Sequence, residues 1–279
     1  MIARSQRKIE PESWQRELRE AWTDPLAMLA HLGIEPARAG FDSGAKIDFP
    51  FRVPRAFAAL IRPRDATDPI LRQVLPAAAE NLAEPGFSND PVGDTASERA
   101  AGLLHKYQGR ALLLLSGACA VHCRYCFRRE FPYARSVGTQ RLLSALEVIA
   151  ADPSIDEVIL SGGDPLVLED GRLAEIARSL AGMPHLKRLR VHTRLPVTLP
   201  SRLTAALLDW LTSSRLAPVL VLHANHAQEL SANFEDALRP FRAAGIPLLN
   251  QAVLLRGVND SADALTSLSE RLFECGVLP

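Results

Sequence analysis

From residue 110 onward, short apolar runs alternate with longer segments whose apolar residues recur every three or four positions. The runs are 111–115, 157–160, 188–192, 219–223 and 248–255, and the longer segments are 139–151, 171–182, 201–213, 228–243 and 261–274. In 139–151, Leu142, Leu146 and Ile149 fall on one stripe behind Thr139, which is suited to cap the helix. Strand–helix alternation of this kind predicts βαβ units and a parallel sheet of five strands. The first hundred residues are patterned differently. Residues 11–33 read as helical, with Trp14, Leu18 and Trp22 on one stripe and a turn at Thr23-Asp24-Pro25 before a second short helix. Residues 34–52 are irregular, 54–61 predict a short helix, and a helical turn follows through Leu71 and Leu75. Residues 83–101, with Pro85-Gly86, Asp90-Pro91 and Gly93-Asp94, predict a loop-rich link. The expected organisation is a helical and loop-rich extension over 1–100 and an α/β domain over 101–279.

A chain of 279 residues can bury the core of one large α/β domain. Lys and Arg number 32 against 32 Asp and Glu, so no charge excess points to nucleic acid or to a membrane surface. No run approaches membrane-spanning length, and the first residues carry no apolar signal core. With three clustered thiols, this predicts a reducing cytoplasm. Only four of the basic residues are lysines: Lys8, Lys46, Lys106 and Lys187.

The run 111–115 leads into Ser116-Gly-Ala-Cys119-Ala-Val-His122-Cys123-Arg-Tyr125-Cys126-Phe-Arg128-Arg129. A strand ending in C-x3-C-x2-C gathers three thiols at one end of a sheet. Three thiolates can ligate three irons of a cubane cluster and leave the fourth iron open to an exogenous ligand. Two other readings stand beside this one. With His122 the cysteines could form a Cys3His zinc site, although such sites draw ligands from two separated knuckles; or they could pack as small hydrophobes, as Cys275 does by default. Ser161-Gly162-Gly163-Asp164-Pro165 closes the next run. Its glycines either admit a ligand close to the backbone or make a plain βα turn. Arg128 and Arg129 form either a fork for a carboxylate or a solvated basic patch. Asp260 is either the anion for an ammonium or a helix N-cap, a role open also to Asn259 and Ser261. His192, His223, Asn225 and His226 stand at strand ends, as wall residues or as bases. Asn250 and Gln251 are further inward-facing candidates.

C-x3-C-x-aromatic-C, with Tyr125 as the aromatic, resembles the signature of the radical S-adenosylmethionine (SAM) enzymes. Longer stretches resemble their lysine 2,3-aminomutase family: Leu104-His-Lys-Tyr107-Gln-Gly-Arg110, Ser161-Gly-Gly-Asp164-Pro, Asn225-His226 and Asn250-Gln-Ala-Val-Leu-Leu-Arg-Gly-Val-Asn-Asp260. Asp24-Pro25, Val53-Pro-Arg55, Leu71-Arg-Gln-Val-Leu75, Pro85-Gly-Phe-Ser-Asn-Asp-Pro91 and Phe127-Arg-Arg-Glu-Phe-Pro-Tyr133 are similar to the branch that supplies β-lysine for modifying elongation factor P. The resemblance runs over about residues 11–279.

The resemblance implies a partial (β/α)6 barrel with its chemistry at the carboxyl ends of the strands. It implies a 4Fe–4S cluster on Cys119, Cys123 and Cys126, and SAM held through its amino group by Ser161, Gly162, Gly163 and Asp164. Arg128 would take the α-carboxylate of free L-lysine and Asp260 its side-chain ammonium, with Tyr107 and Arg110 near the phosphate of pyridoxal 5′-phosphate (PLP). Reductive cleavage of SAM would then yield a 5′-deoxyadenosyl radical, and nitrogen would migrate from carbon 2 to carbon 3 with PLP as carrier. The product would pass to a ligase acting on elongation factor P, and a homo-oligomer is compatible with all of this. One departure stands out. The family's PLP lysine lies in a C-terminal segment beyond Pro279, and none of the four lysines here sits in a matching motif. The chain is therefore expected to stop before its last strand, to keep cluster and SAM chemistry, and to hold PLP poorly. A radical SAM enzyme of other substrate and a non-catalytic iron–sulfur or zinc module are the alternatives.

Overall fold

A computed structural model describes residues 13–41, 50–77, 80 and 85–279. Residues 11 and 12 of the first expected helix, parts of the irregular stretch and of the link, and Lys8 and Lys46 lie outside the described residues. The chain enters through α1 (Ser13–Arg19) and α2 (Pro25–Leu32), then the single turns α3 (Arg55–Ala58) and α4 (Leu71–Val74). Next come β1 (Glu98–Ala100), β2 (Leu103–Tyr107), β3 (Arg110–Ser116), α5 (Tyr133–Ser136), α6 (Thr139–Ala151), β4 (Glu157–Gly162) and α7 (Asp170–Ala181). The remainder is β5 (Arg188–Thr193), α8 (Leu195–Thr198), α9 (Ala205–Thr212), β6 (Ala217–Leu222), α10 (Ala232–Ala243), β7 (Leu248–Asn250) and α11 (Ala262–Glu274).

The seven strands form one sheet in chain order, with β1–β2–β3 antiparallel and β3 to β7 parallel. The five apolar runs are thus the five parallel strands of a partial barrel. After α11, Leu278 enters a parallel bridge with Leu249, so the chain begins to pair as the next strand. The parallel strands alternate between two environments. Leu113, Leu115, Val158, Leu160, Leu189, Val191, Leu220 and Leu222 are buried in the core shared with the helices. The other row is partly charged: Glu157, 2% exposed, meets Arg188 Nε at 3.0 Å, Arg190 Nε at 2.6 Å and Arg110 Nε at 3.4 Å. Burial acts to raise the pKa of Glu157, but the hydrogen bonds from Arg190 and Arg188 outweigh it and hold the carboxyl below its usual range.

Four differences from the sequence expectations have local causes. β1 occupies the end of the stretch expected to be link and β2 the residues just after it, so Tyr107 ends a strand and Arg110 opens one instead of both preceding the sheet; Gly102 (φ 80°) and Gly109 (φ 77°) turn these hairpins. β7 stops at Asn250 because side chains take the next backbone donors: Val253 N donates to Asn225 Oδ1 (2.8 Å) and Leu255 N to Asn259 Oδ1 (2.7 Å). Thr139 is the first residue of α6, and Gly138 holds the cap position without a side-chain bond. Trp22 lies beyond α1, bridged to Val53 and covered by the guanidinium of Arg55 at 4.0 Å.

The extension and the barrel share one apolar core, from Trp14 to Val277. Arg202, fully buried, joins them. Its Nε donates to Leu166 O (2.7 Å), its amines reach Asp170 at 2.8 and 3.1 Å, and its guanidinium lies 4.6 Å from the Trp14 ring centroid. Replacing Arg202 by Met strands Asp170 and two carbonyls, and is expected to lower the unfolding free energy by about 3 kcal/mol. Urea denaturation reads this directly, and a loss under about 1 kcal/mol would mean that Thr204 and Trp210 satisfy Asp170 alone.

Candidate active site

The loop after β3 is held by backbone bonds on both sides. His122 N donates to Arg52 O and Arg124 N to Gln73 O, each at 3.0 Å, while Gly163 N donates to Ser116 O (2.6 Å) and Asp164 N to Ala118 O (2.9 Å). The crossing is close: a Cβ on Gly162 would lie 2.4 Å from Ser116 O, and one on Gly163 2.4 Å from Ala118 O. Gly162 also has φ 134°. The two glycines are thus required by the approach of the cysteine loop, before any ligand is considered.

Cys119, Cys123 and Cys126 all line a cavity of about 390 Å³ at the carboxyl ends of the parallel strands. Burial pushes Cys119 well above the usual thiol range, and Asp164 and the other two cysteines push the same way; burial and then Cys123 raise Cys126. Three thiols gathered on one cavity form a donor set suited to a cationic centre. Among the described residues no three Cys, His, Asp or Glu converge on a single ion. His122 points its Nδ1 to the carbonyl of Pro50. This arrangement does not fit the Cys3His zinc reading, whereas a cubane spreads three thiolates over three irons.

Residues 113–267 match the Radical SAM superfamily. The chain is 47% identical over 272 residues to the L-lysine 2,3-aminomutase of Escherichia coli (strain K12), covering 96% of this chain and 79% of that protein. For the L-lysine 2,3-aminomutase of Haemophilus influenzae the identity is 41%, covering 97% and 80%. For that of Clostridium subterminale it is 36%, covering 80% and 54%. The chain belongs to the radical SAM lysine 2,3-aminomutase family. Membership brings a 4Fe–4S cluster and SAM, and the three thiols lining this cavity fit the cluster.

Within this family member, Asp164 accepts from Leu166 N, Thr193 Oγ1, Arg194 N and Leu195 N at 2.7–3.0 Å. Burial raises its pKa and these bonds oppose the rise. Both oxygens are occupied, so Asp164 braces the turn, and Ser161, Gly162 and Gly163 line the cavity beside it. Arg128 lines the cavity with Nε on Asp94 Oδ2 (2.7 Å) and Nη1 on Ser161 Oγ (3.3 Å). Asp94 also takes Lys106, the one cavity lysine among the described residues. Tyr107 and Arg110 line the same cavity, 68% and 45% exposed respectively. Asp260 is exposed and outside the cavity wall; Ser261 caps α11 on Ala264 N, and Asn259 is buried in a side-chain network.

That network escaped the sequence reading. Arg194, 7% exposed, donates from Nη2 to Glu229 Oε2 and Gln73 Oε1 (2.9 Å each), and from Nη1 to Cys123 Sγ (2.8 Å) and to Tyr125 Oη. Asn225 Nδ2 donates to Gln73 Oε1 (2.9 Å) and Tyr125 Oη (2.6 Å). Its signal in the sequence was Asn225-His226-Ala-Gln-Glu229, where Glu229 and His226 form a capping box.

His192 and His223 line the cavity with ring centroids 5.9 Å apart, each with a buried Nε2 that has no partner. Burial lowers His192 to about 3 and His223 to about 4, with positive neighbours adding to the effect. Both are neutral at pH 7, hence hydrogen-bonding wall groups and not proton donors there. Their folded pKa lies below the unfolded value, so the unfolded chain binds more protons and stability falls as pH drops from 6.5 toward 4. The melting temperature of the His192→Gln/His223→Gln double variant is expected to fall less across that range than that of the unaltered chain. Parallel curves would show that the imidazoles do not contribute.

Proposed function

We propose that this cavity converts L-lysine to β-lysine by a radical reaction, with the amino group moving from carbon 2 to carbon 3. The observation that carries the reading is the meeting of the three cysteines, the Ser161–Gly163 turn and Arg128 on one cavity. Cys119, Cys123 and Cys126 ligate the cluster, and Ser161, Gly162 and Gly163 meet the amino end of SAM on a turn braced by Asp164. When bound, cluster and SAM supply the electron and the carbon radical that takes a hydrogen from lysine. Arg128 holds the α-carboxylate in a bidentate pair, its rotamer fixed by Asp94. Asp260 enters as the ammonium partner on resemblance alone. Leu112, Ile159 and Val253 line the cavity with apolar surface, which excludes water from a reactive carbon centre.

PLP is part of the proposal, with Tyr107 and Arg110 at the mouth offered to its phosphate. It would supply electron delocalisation during the migration. Among the described residues no lysine is free to anchor it covalently: Lys106 is held by Asp94 and Val92 O, and Lys187 faces Asp156. β-Lysine would then serve a ligase acting on elongation factor P, in a reducing cytoplasm where clustered thiols persist.

After anaerobic reconstitution with iron and sulfide, the chain given lysine, SAM, PLP and dithionite is expected to form 5′-deoxyadenosine in a lysine-dependent way, with β-lysine limited by weak retention of PLP. Arg128→Gln should raise the KM for lysine by about 10- to 100-fold, the loss expected of one charged hydrogen-bonded pair. Formation of 5′-deoxyadenosine at a rate indifferent to lysine would overturn the substrate and keep the radical chemistry. Failure to take up iron would overturn both.

A further inference from the structure

We propose that Arg194 is a positioning residue that tunes the cluster, its guanidinium hydrogen-bonding the Cys123 thiolate and thereby raising the cluster's affinity for an electron. This rests on the assignment of Cys123 as a cluster ligand. Arg194 Nη1 lies 2.8 Å from Cys123 Sγ, the arginine is 7% exposed, and it leaves the end of β5 directly opposite the cysteine loop. Its orientation is fixed from behind. Nη2 is shared by Glu229 and Gln73, and its backbone N is held by Asp164 Oδ2 at 2.8 Å. Glu229 cannot rotate away, because its Oε1 accepts from Asn225 N and His226 N (2.9 Å each) and from Gln73 Nε2 (3.0 Å). A fixed cationic donor on a ligand sulfur withdraws charge from it, and in a site of low dielectric this favours the more negative, reduced cluster. Two other cationic side chains near the loop, Arg128 and Arg124, have carboxylates of their own in Asp94 and Glu80.

The test is an EPR-monitored redox titration of the full chain with reconstituted cluster, with iron and sulfide measured on the same samples. Arg194→Gln is expected to retain the cluster and to hold about tenfold less of it reduced at a given potential, a midpoint about 59 mV more negative for a one-electron couple. Arg194→Lys, which keeps charge and a donor, should recover most of the shift. If Arg194→Gln loses iron, Arg194→Lys carries the test together with pulsed EPR of the reduced unaltered chain labelled with 15N-guanidino arginine. A 15N coupling that Arg194→Lys abolishes supports the proposal. An unchanged midpoint in a fully loaded variant, or no such coupling, overturns it while leaving the cluster assignment intact. A chain that binds no cluster overturns both.

Discussion

An ionised side chain removed from water is costly unless its donors are met, and the two amines of Arg194 are met by groups from segments far apart in the chain, while its buried Nε has no partner among the described residues. Gln73 comes from α4, Cys123 and Tyr125 from the loop after β3, and Glu229 from the turn beyond β6. Gln73 Oε1 and Tyr125 Oη each accept from both Arg194 and Asn225, so the contacts share their groups and hold one another in place. The geometry of the cysteine loop, and with it the spacing of the thiols, therefore depends on this knot at least as much as on β3 itself. The extension before the barrel is tied into the same knot through Gln73, and separately through Trp14 against Arg202.

The parallel strands were legible because each is an apolar run of strand length between amphipathic segments, and local patterning agreed with the final topology. The short antiparallel strands were not. Glu98 to Tyr107 has apolar residues, Ala100, Ala101, Leu103 and Leu104, but no regular alternation, and its pairing comes from glycine turns and from β3 as a template, information that lies outside any local window. β7 was drawn too long because Val253 and Leu254 are apolar, while the side chains that divert its backbone, Asn225 and Asn259, are distant or polar. The three cysteines and the glycine turn could be placed on one cavity from their positions at strand ends. Arg194 could not, since an arginine at a strand end looks the same whether it faces water or a thiol.

Asp164 shows how a motif can be read correctly in place and differently in purpose. A carboxylate at the end of a glycine turn looks available to a ligand's amino group. Here Thr193, two backbone amides of the following β5–α8 junction and Leu166 N have taken both oxygens. The residue joins the ends of two neighbouring strands, β4 and β5. The resemblance of sequence identified the segment; only the hydrogen-bond partners distinguish contact from support.

The crossing of Gly162 and Gly163 over Ser116–Ala118 leaves no space for a side chain and carries two short backbone bonds. The thiol-bearing loop and the turn beside it consequently behave as one piece of backbone. Lifting the loop outward to admit inorganic iron and sulfide would sever that seam and uncover the buried carboxylate behind it. Outward movement of the loop therefore costs both bonds and the glycine packing at once.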